Sequence, residues 1–287
     1  MGDAPPPWTR RSWLQGLGAS ALVGAAPGLG HSAPSATLTD ADILRALTTW
    51  RKHSKQPFAI PDTAARATLL AGKVLKRRLP PRNGVPDGAL ALVVVSHSQA
   101  DMWLSSADAE HMGDGSAESD LLVHHLPKRG DEMFRWYGLF NLPAPFTDRH
   151  LVLRTTVNSA MSKATGGQCW ERTWVLEEDG LETMRPLVAA GKVPGLTLKR
   201  FEAAIYVPAN FGGWLSIKLP DGRTLFGYHA SSSAGGDIPD KAVSRLVFWG
   251  LGRVMGDVTE HAAQMRSHYT GGHAPIKSGN GGMVPLY

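Results

Sequence analysis

Residues 237–265 read DIPDKAVSRLVFWGLGRVMGDVTEHAAQM. Apolar or small side chains recur at Val243, Leu246, Val247, Gly250, Leu251, Val254, Met255, Val258, Ala262 and Met265, the spacing of one face of an α-helix. Asp237 is placed to cap it, and Pro239 suits a first turn because its missing N–H costs nothing there. At 3.6 residues per turn the stripe runs for about seven turns, too long for a small hairpin to cover, so the chain must supply a broad apolar partner surface. Gly250, Gly252 and Gly256 each cost such a helix about 1 kcal/mol relative to Ala. Two readings of them stand side by side: close packing against that surface, or room left for something else.

The partner is legible upstream. Thr39-Asp40-Ala41-Asp42 is a helix-capping string leading into Ile43, Leu44, Leu47 and Trp50 at helical spacing. Nine strand-like segments follow, over 72–79, 89–96, 121–126, 133–140, 150–158, 169–177, 203–207, 214–219 and 224–230. In the segment around Leu151, the set Leu151, Leu153 and Val157 alternates with Arg154 and Thr156, so one side of the strand is apolar and the other polar. Pro220-Asp221-Gly222 and Asp179-Gly180 are turn signals in the second half of the series. No repeat or low-complexity linker divides the body, so one domain over 39–268 is expected. The class is α+β: a curved antiparallel sheet around a long carboxy-terminal helix. The Gly-rich residues 269–287 are expected to form a flexible tail.

The 287 residues, 43% hydrophobic and 19% charged, are ample for one large core. The net charge is +5, and the basic residues are scattered rather than gathered in the stripe a nucleic-acid footprint needs. No nucleic-acid partner is expected; a weak preference for an anionic membrane surface is compatible with the surplus. The single cysteine, Cys169, has no second thiol with which to form a disulfide, zinc or redox motif. Near the amino terminus, Thr9-Arg10-Arg11-Ser12-Trp13-Leu14 precedes a mildly apolar Gly/Ala-rich run. This pattern resembles a twin-arginine export signal over 1–33. Gly16, Gly18, Gly24, Pro27, Gly28 and Gly30 interrupt the run too often for a span of about 20 apolar residues. Removing the leader takes away Asp3, Arg10 and Arg11 and leaves the body at +4. The expectation is an exported bacterial protein, periplasmic or secreted.

The order of elements and several strings together resemble the START family, the lipid-transfer relatives of the steroidogenic acute regulatory protein, within the wider Bet v 1-like superfamily. Leu142-Pro143-Ala144-Pro145-Phe146-Thr147-Asp148-Arg149-His150 is similar to the family's P-x-P-x-x-D-R-D corner, with His150 in place of the acidic residue. Asn210-Phe211-Gly212-Gly213-Trp214 resembles its strand entry, Gly235-Gly236-Asp237-Ile238-Pro239 its lead into the final helix, and Met102-Trp103 the pair near its second helix. The resemblance covers residues 40–268. It implies a helix-grip fold that holds, and is able to transfer, a lipid or other hydrophobic molecule in an apolar interior, acting as a monomer with transient membrane contact and without a cofactor.

On this reading the candidate lining residues are Phe134, Trp136, Trp170, Trp174, Leu215, Ile217, Leu251 and Met255, although ordinary core packing accounts for each of them taken separately. Arg154 and His229 are candidates to meet a polar head group, since a half-buried charge needs a partner; pairing with Glu171 or Glu202 is the alternative. The competing function is a cavity enzyme, a cyclase or hydrolase of an apolar substrate, as in the broader superfamily. No Gly-x-Ser-x-Gly elbow and no His-Glu-x-x-His helix supports it. His124 and His125 point to opposite sides of a strand, so no metal site is expected there. Gly16-Leu17-Gly18 and Gly250-Leu251-Gly252 lack the preceding strand of a dinucleotide loop.

Overall fold

The computed structural model describes residues 37–54, 56, 58–81, 86–108, 121–142, 144–270 and 276–284. The expected leader lies outside them. Among the described residues no helix is long and apolar enough to cross a membrane.

Helix α1 (Asp40–His53) starts where the sequence places it: the Thr39 hydroxyl accepts the Asp42 N–H while the Asp42 carboxylate accepts the Thr39 N–H, a reciprocal cap. Helix α2 (Thr63–Leu70) follows. Then come β1 (Leu75–Leu79), β2 (Gly88–Val95), the short α3 (Gln99–Ser105), β3 (Leu121–His125), β4 (Phe134–Phe140) and β5 (Arg149–Val157). The second half comprises α4 (Ser159–Ala164), β6 (Cys169–Leu176), α5 (Gly180–Ala189), α6 (Leu198–Ala203), β7 (Ile205–Tyr206), β8 (Ala209–Lys218), β9 (Thr224–Ser233), the long α7 (Asp240–Ala262) and α8 (Met265–His268).

The strands form one sheet in the order β1-β2-β9-β8-β6-β5-β4-β3, antiparallel along this path, with β7 parallel to β5. The pairing of β2 with β9 sets the architecture. It puts the strand that precedes α7 inside the sheet, between β2 and β8, so the helix turns back over a surface that extends to both sides. The chain is thus α+β, a curved antiparallel sheet gripping a long terminal helix, as the sequence implied.

Register assigns the faces. On the inner face, Ala89, Ala91, Val93 and Val95 of β2, Phe226, Tyr228 and Ala230 of β9 and Trp214 of β8 pack with Leu251, Val254, Met255, Val258 and Ala262 of α7. On the outer face, Leu90, Leu92, Val94, Leu215, Ile217 and Leu225 pack with Ile43, Leu47 and Trp50 of α1 and Leu69 of α2. All eight residues of β2 are buried, which is why it reads as a continuous apolar run instead of alternating. At the other end of the outer face, Tyr137, Leu139 and Val152 are covered by Met184 and Val188 of α5 and Phe201 of α6.

The corner strings meet in space. The Asp148 carboxylate accepts the Leu142 N–H (3.1 Å). The Arg149 guanidinium donates to the carbonyls of Ala234 (2.7 Å) and Gly235 (3.0 Å), fixing the lead into α7. At Gly236 the backbone has φ +59°, a left-handed conformation that favours glycine.

Asp179-Gly180 forms the expected turn, the Gly180 N–H donating to the Glu177 carbonyl (3.3 Å), and this turn leads directly into α5. The structure differs from the sequence reading in two places. Asp237 does not cap α7, whose N-cap is Pro239 without a side-chain cap bond, and the apolar stripe runs past the end of α7 at Ala262 into the separate α8. Residues 276–284 of the Gly-rich tail form a turn closed by the Lys277–Met283 bridge and packed on the body: Trp103 Nε1 donates to the Lys277 carbonyl (2.9 Å), Val284 is buried, and Gly279 lies so close to Trp170 that a Cβ would meet the ring at 2.1 Å. The glycines there serve close approach, a use that composition alone does not distinguish from flexibility.

Candidate ligand-binding face

Cross-strand neighbours share a face, so the inner surface can be followed row by row. One row runs Ala91, Tyr228, Trp214, Arg172, Val157. The next runs Ala89, Ala230, Gly212, Trp174, Thr155, Phe134. Beyond it lie Leu176, Leu153, Trp136 and His125. Two glycines accommodate the large rings: a Cβ at Gly212 would fall 2.0 Å from Trp174 Cζ2, and one at Gly138 would fall 2.7 Å from Trp136 Cζ3.

Helix α7 does not cover these rows evenly. Its main packing partners are β1, β2, β9 and α3, which leaves its weight over one half of the sheet. Toward β6, β5 and β4, the inner face carries Trp136, Phe140, Trp174 and Leu176, all half-buried, around the buried Leu151, Leu153 and Val207. Trp174 joins this group to the surface under α7, its ring 5.7 Å from that of Tyr228.

The polar groups of this face are few. Trp174 Nε1 donates to Asn210 Oδ1 (2.8 Å). Arg172 is buried at 2% exposure; its guanidinium donates to the carbonyls of Trp103 (3.3 Å) and Ser106 and stacks 4.9 Å over the Trp103 ring. These carbonyls end α3, where the helix presents its negative pole, and burial pulls the Arg172 pKa down to about 9. Burial likewise raises the Tyr228 phenol above its ordinary range. The Trp170 indole N–H is buried without a hydrogen-bond partner, a cost of about 1–3 kcal/mol unless a ligand oxygen accepts it.

Of the sequence candidates, Phe134, Trp136, Trp170 and Trp174 come together on the inner face, and Leu251 and Met255 face it from α7. Four do not. Leu215 and Ile217 lie on the outer face under α1. Strand β8 is apolar on both sides, and the inner positions belong to its even-numbered residues, Trp214 among them. His229 pairs with Leu90 and Gly213 and so also faces outward. Arg154 is exposed on the same outer side. The anticipated acidic partners are otherwise engaged: Glu171 accepts from Trp50 Nε1 (2.8 Å), Ser54 Oγ (2.6 Å) and Asn158 Nδ2 (2.8 Å), and Glu202 pairs with Arg185. Both polar head-group candidates, Arg154 and His229, are thereby placed off this face. Arg172, Trp214 and Tyr228 are inner residues that the sequence reading missed. The signal for Arg172 was present, since it alternates in phase with Trp170 and Trp174 on β6.

These features define a helix-grip protein with an aromatic inner face. No known protein-family profile and no curated protein sequence matches the chain. Among solved structures, the chain is similar to a STAR-related lipid transfer protein from Xanthomonas axonopodis, at 16% identity over 74% of this chain and 100% of that one, with a TM-score of 0.48. It is also similar to human StAR-related lipid transfer protein 5, at 11% identity over 78% and 95% with a TM-score of 0.48. A third is the Zhui aromatase/cyclase from Streptomyces, at 13% identity over 66% and 94% with a TM-score of 0.39.

Proposed function

We propose that the protein binds a lipid or similar hydrophobic molecule between α7 and the inner face of β4, β5 and β6, and exchanges it at a membrane surface. The observation that carries this reading is the group of half-buried side chains, Trp136, Phe140, Trp174 and Leu176, on the inner face beyond the main packing of α7. Each Å² of apolar surface that a ligand buries there contributes about 25 cal/mol, so an acyl or ring system of a few hundred Å² needs little polar help to bind. Trp170 Nε1, buried without a hydrogen-bond partner, is the inner-face donor offered to its polar end. Exchange at a surface is supported by the exposed row Arg245, Trp249, Arg253 on α7, with Trp249 at 63% exposure and Arg253 shared with Asp257 at 3.5 Å. An interfacial indole flanked by cations suits an anionic bilayer. The leader expected over 1–33 would place this work outside the cytoplasm.

The test is native mass spectrometry of the purified protein before and after incubation with mixed-lipid vesicles. One bound lipid per chain is expected, and protein that stays empty under all such conditions would sink the proposal.

A further inference from the structure

At the far end of α7 from its Gly-Gly lead, three segments bring metal-ligating groups together. Asp108 stands just beyond α3, His261 in the last turn of α7, and His268 at the end of α8. His261 Nε2 lies 2.9 Å from Asp108 Oδ2, and His268 Nδ1 lies 3.6 Å from the same oxygen. All three ligand atoms fall within 4.8 Å of one another. The Asp108 side chain has no solvent exposure, whereas His261 and His268 keep 11% and 24%, so a path to the group is open from the imidazole side.

We propose that Asp108, His261 and His268 form a binding site for one divalent transition-metal ion of the zinc class. Two imidazole nitrogens and one carboxylate oxygen suit Zn²⁺, Co²⁺ or Ni²⁺; calcium and magnesium prefer sets made of oxygen alone. With bonds of about 2.0–2.1 Å, ligand atoms in a tetrahedral shell stand about 3.3 Å apart. The separations of 2.9 and 3.6 Å from the shared carboxylate lie on either side of that value. A structural histidine–aspartate hydrogen bond requires one imidazole. Here a second one, on a different helix, faces the same buried oxygen at a distance longer than a hydrogen bond but within reach of a common ion. Neighbouring contacts hold the frame in place: Ser105 Oγ donates to the Val258 carbonyl (2.6 Å), tying α3 to α7 beside the site, and the two imidazole rings stand 5.5 Å apart. Three protein ligands leave a fourth position for water. The bound ion would staple the end of α7 to α3, and this role stands whether or not the inner face takes a lipid.

The signal for the site is absent from any local motif. His261 and His268 are seven residues apart across the break between α7 and α8, and Asp108 is 153 residues from His261 along the chain.

The test uses the full chain, stripped with a chelator and dialysed, then titrated with Co²⁺ by visible absorption and with Zn²⁺ against a competing chelating dye. Saturable binding of one ion per chain and a higher melting temperature with Zn²⁺ are expected. His268→Ala, at a partly exposed position, and the near-isosteric Asp108→Asn should each weaken Zn²⁺ binding at least tenfold with unchanged circular dichroism. His125→Ala, an exposed histidine on β3, should bind as wild type. If Asp108→Asn does not fold, His268→Ala alone decides. No saturable binding by the wild type, wild-type affinity in His268→Ala, or an equal loss in His125→Ala would each overturn the proposal.

Discussion

His150 shows how burial fixes the charge state of a corner residue. Its ring is 1% exposed on the outer side of β5, with Nδ1 3.1 Å from the Tyr137 hydroxyl and Phe201 and Tyr206 edge-on to it. Burial holds its pKa down at about 4 against an ordinary 6.5. The fold therefore favours the neutral ring, and as pH falls through 6.5 the unfolded chain takes up the proton first. The stabilisation is complete above pH 6.5, is lost between 6.5 and 4, and amounts to about 3 kcal/mol. Urea midpoints measured from pH 7 to pH 4 should fall accordingly, and His150→Gln should flatten that part of the profile; an equally steep profile in the variant would locate the effect elsewhere. A second residue-scale test concerns Arg135 and Glu177, both 4% exposed and joined by two bonds of 2.6 Å. Arg135→Met leaves a buried carboxylate without its cation and should cost about 3–5 kcal/mol in chemical denaturation. Neither role could be read from the chain, because both depend on neighbours that are distant in sequence: Phe201 is 51 positions from His150 by residue number, and Glu177 is 42 from Arg135.

At the scale of elements, legibility followed periodicity. Helix α7 was visible because its stripe repeats for many turns, and each of the nine strands among the described residues falls within or overlaps a segment read as strand-like. Helices α2, α4, α5 and α6 were missed. Each is short, and Asp179-Gly180 at the start of α5 carries the same chemistry as a turn. The choice of face failed where both sides of a strand are apolar: at β8, Leu215 and Trp214 look equally internal until pairing with β9 decides. The helix glycines give this scale its prediction. A Cβ at Gly256 meets nothing within 4 Å, and one at Gly252 meets only Lys76 Nζ at 3.9 Å, so close packing does not require either. Gly252→Ala and Gly256→Ala should each stabilise the protein by about 0.5–1 kcal/mol, seen as a rise in melting temperature. Should Gly256→Ala leave stability raised but weaken lipid uptake, the space beside it would belong to the ligand.

For the whole molecule, the uneven reach of α7 across the sheet is what leaves the proposed ligand face only partly covered. A helix centred on the sheet would bury every aromatic ring and leave no surface for a guest. Because β9 sits toward the β1 end of the strand order, α7 follows it there, and the rings on β4 and β6 are left to neighbours of their own strands and to any molecule that enters. Trp136→Ala removes a half-buried ring from that group and should weaken lipid binding about tenfold, a loss of about 1.4 kcal/mol, when followed by a fluorescent-lipid competition assay. Arg154→Ala, exposed on the outer face, serves as the control and should bind as wild type. Trp249 lies on the solvent side of α7, so Trp249→Ala should spare affinity for lipid already in solution while slowing transfer between anionic vesicles. A variant that lost affinity and transfer together would place Trp249 in the binding site instead of at the membrane contact, and would mean that α7 presents its outer side to the ligand.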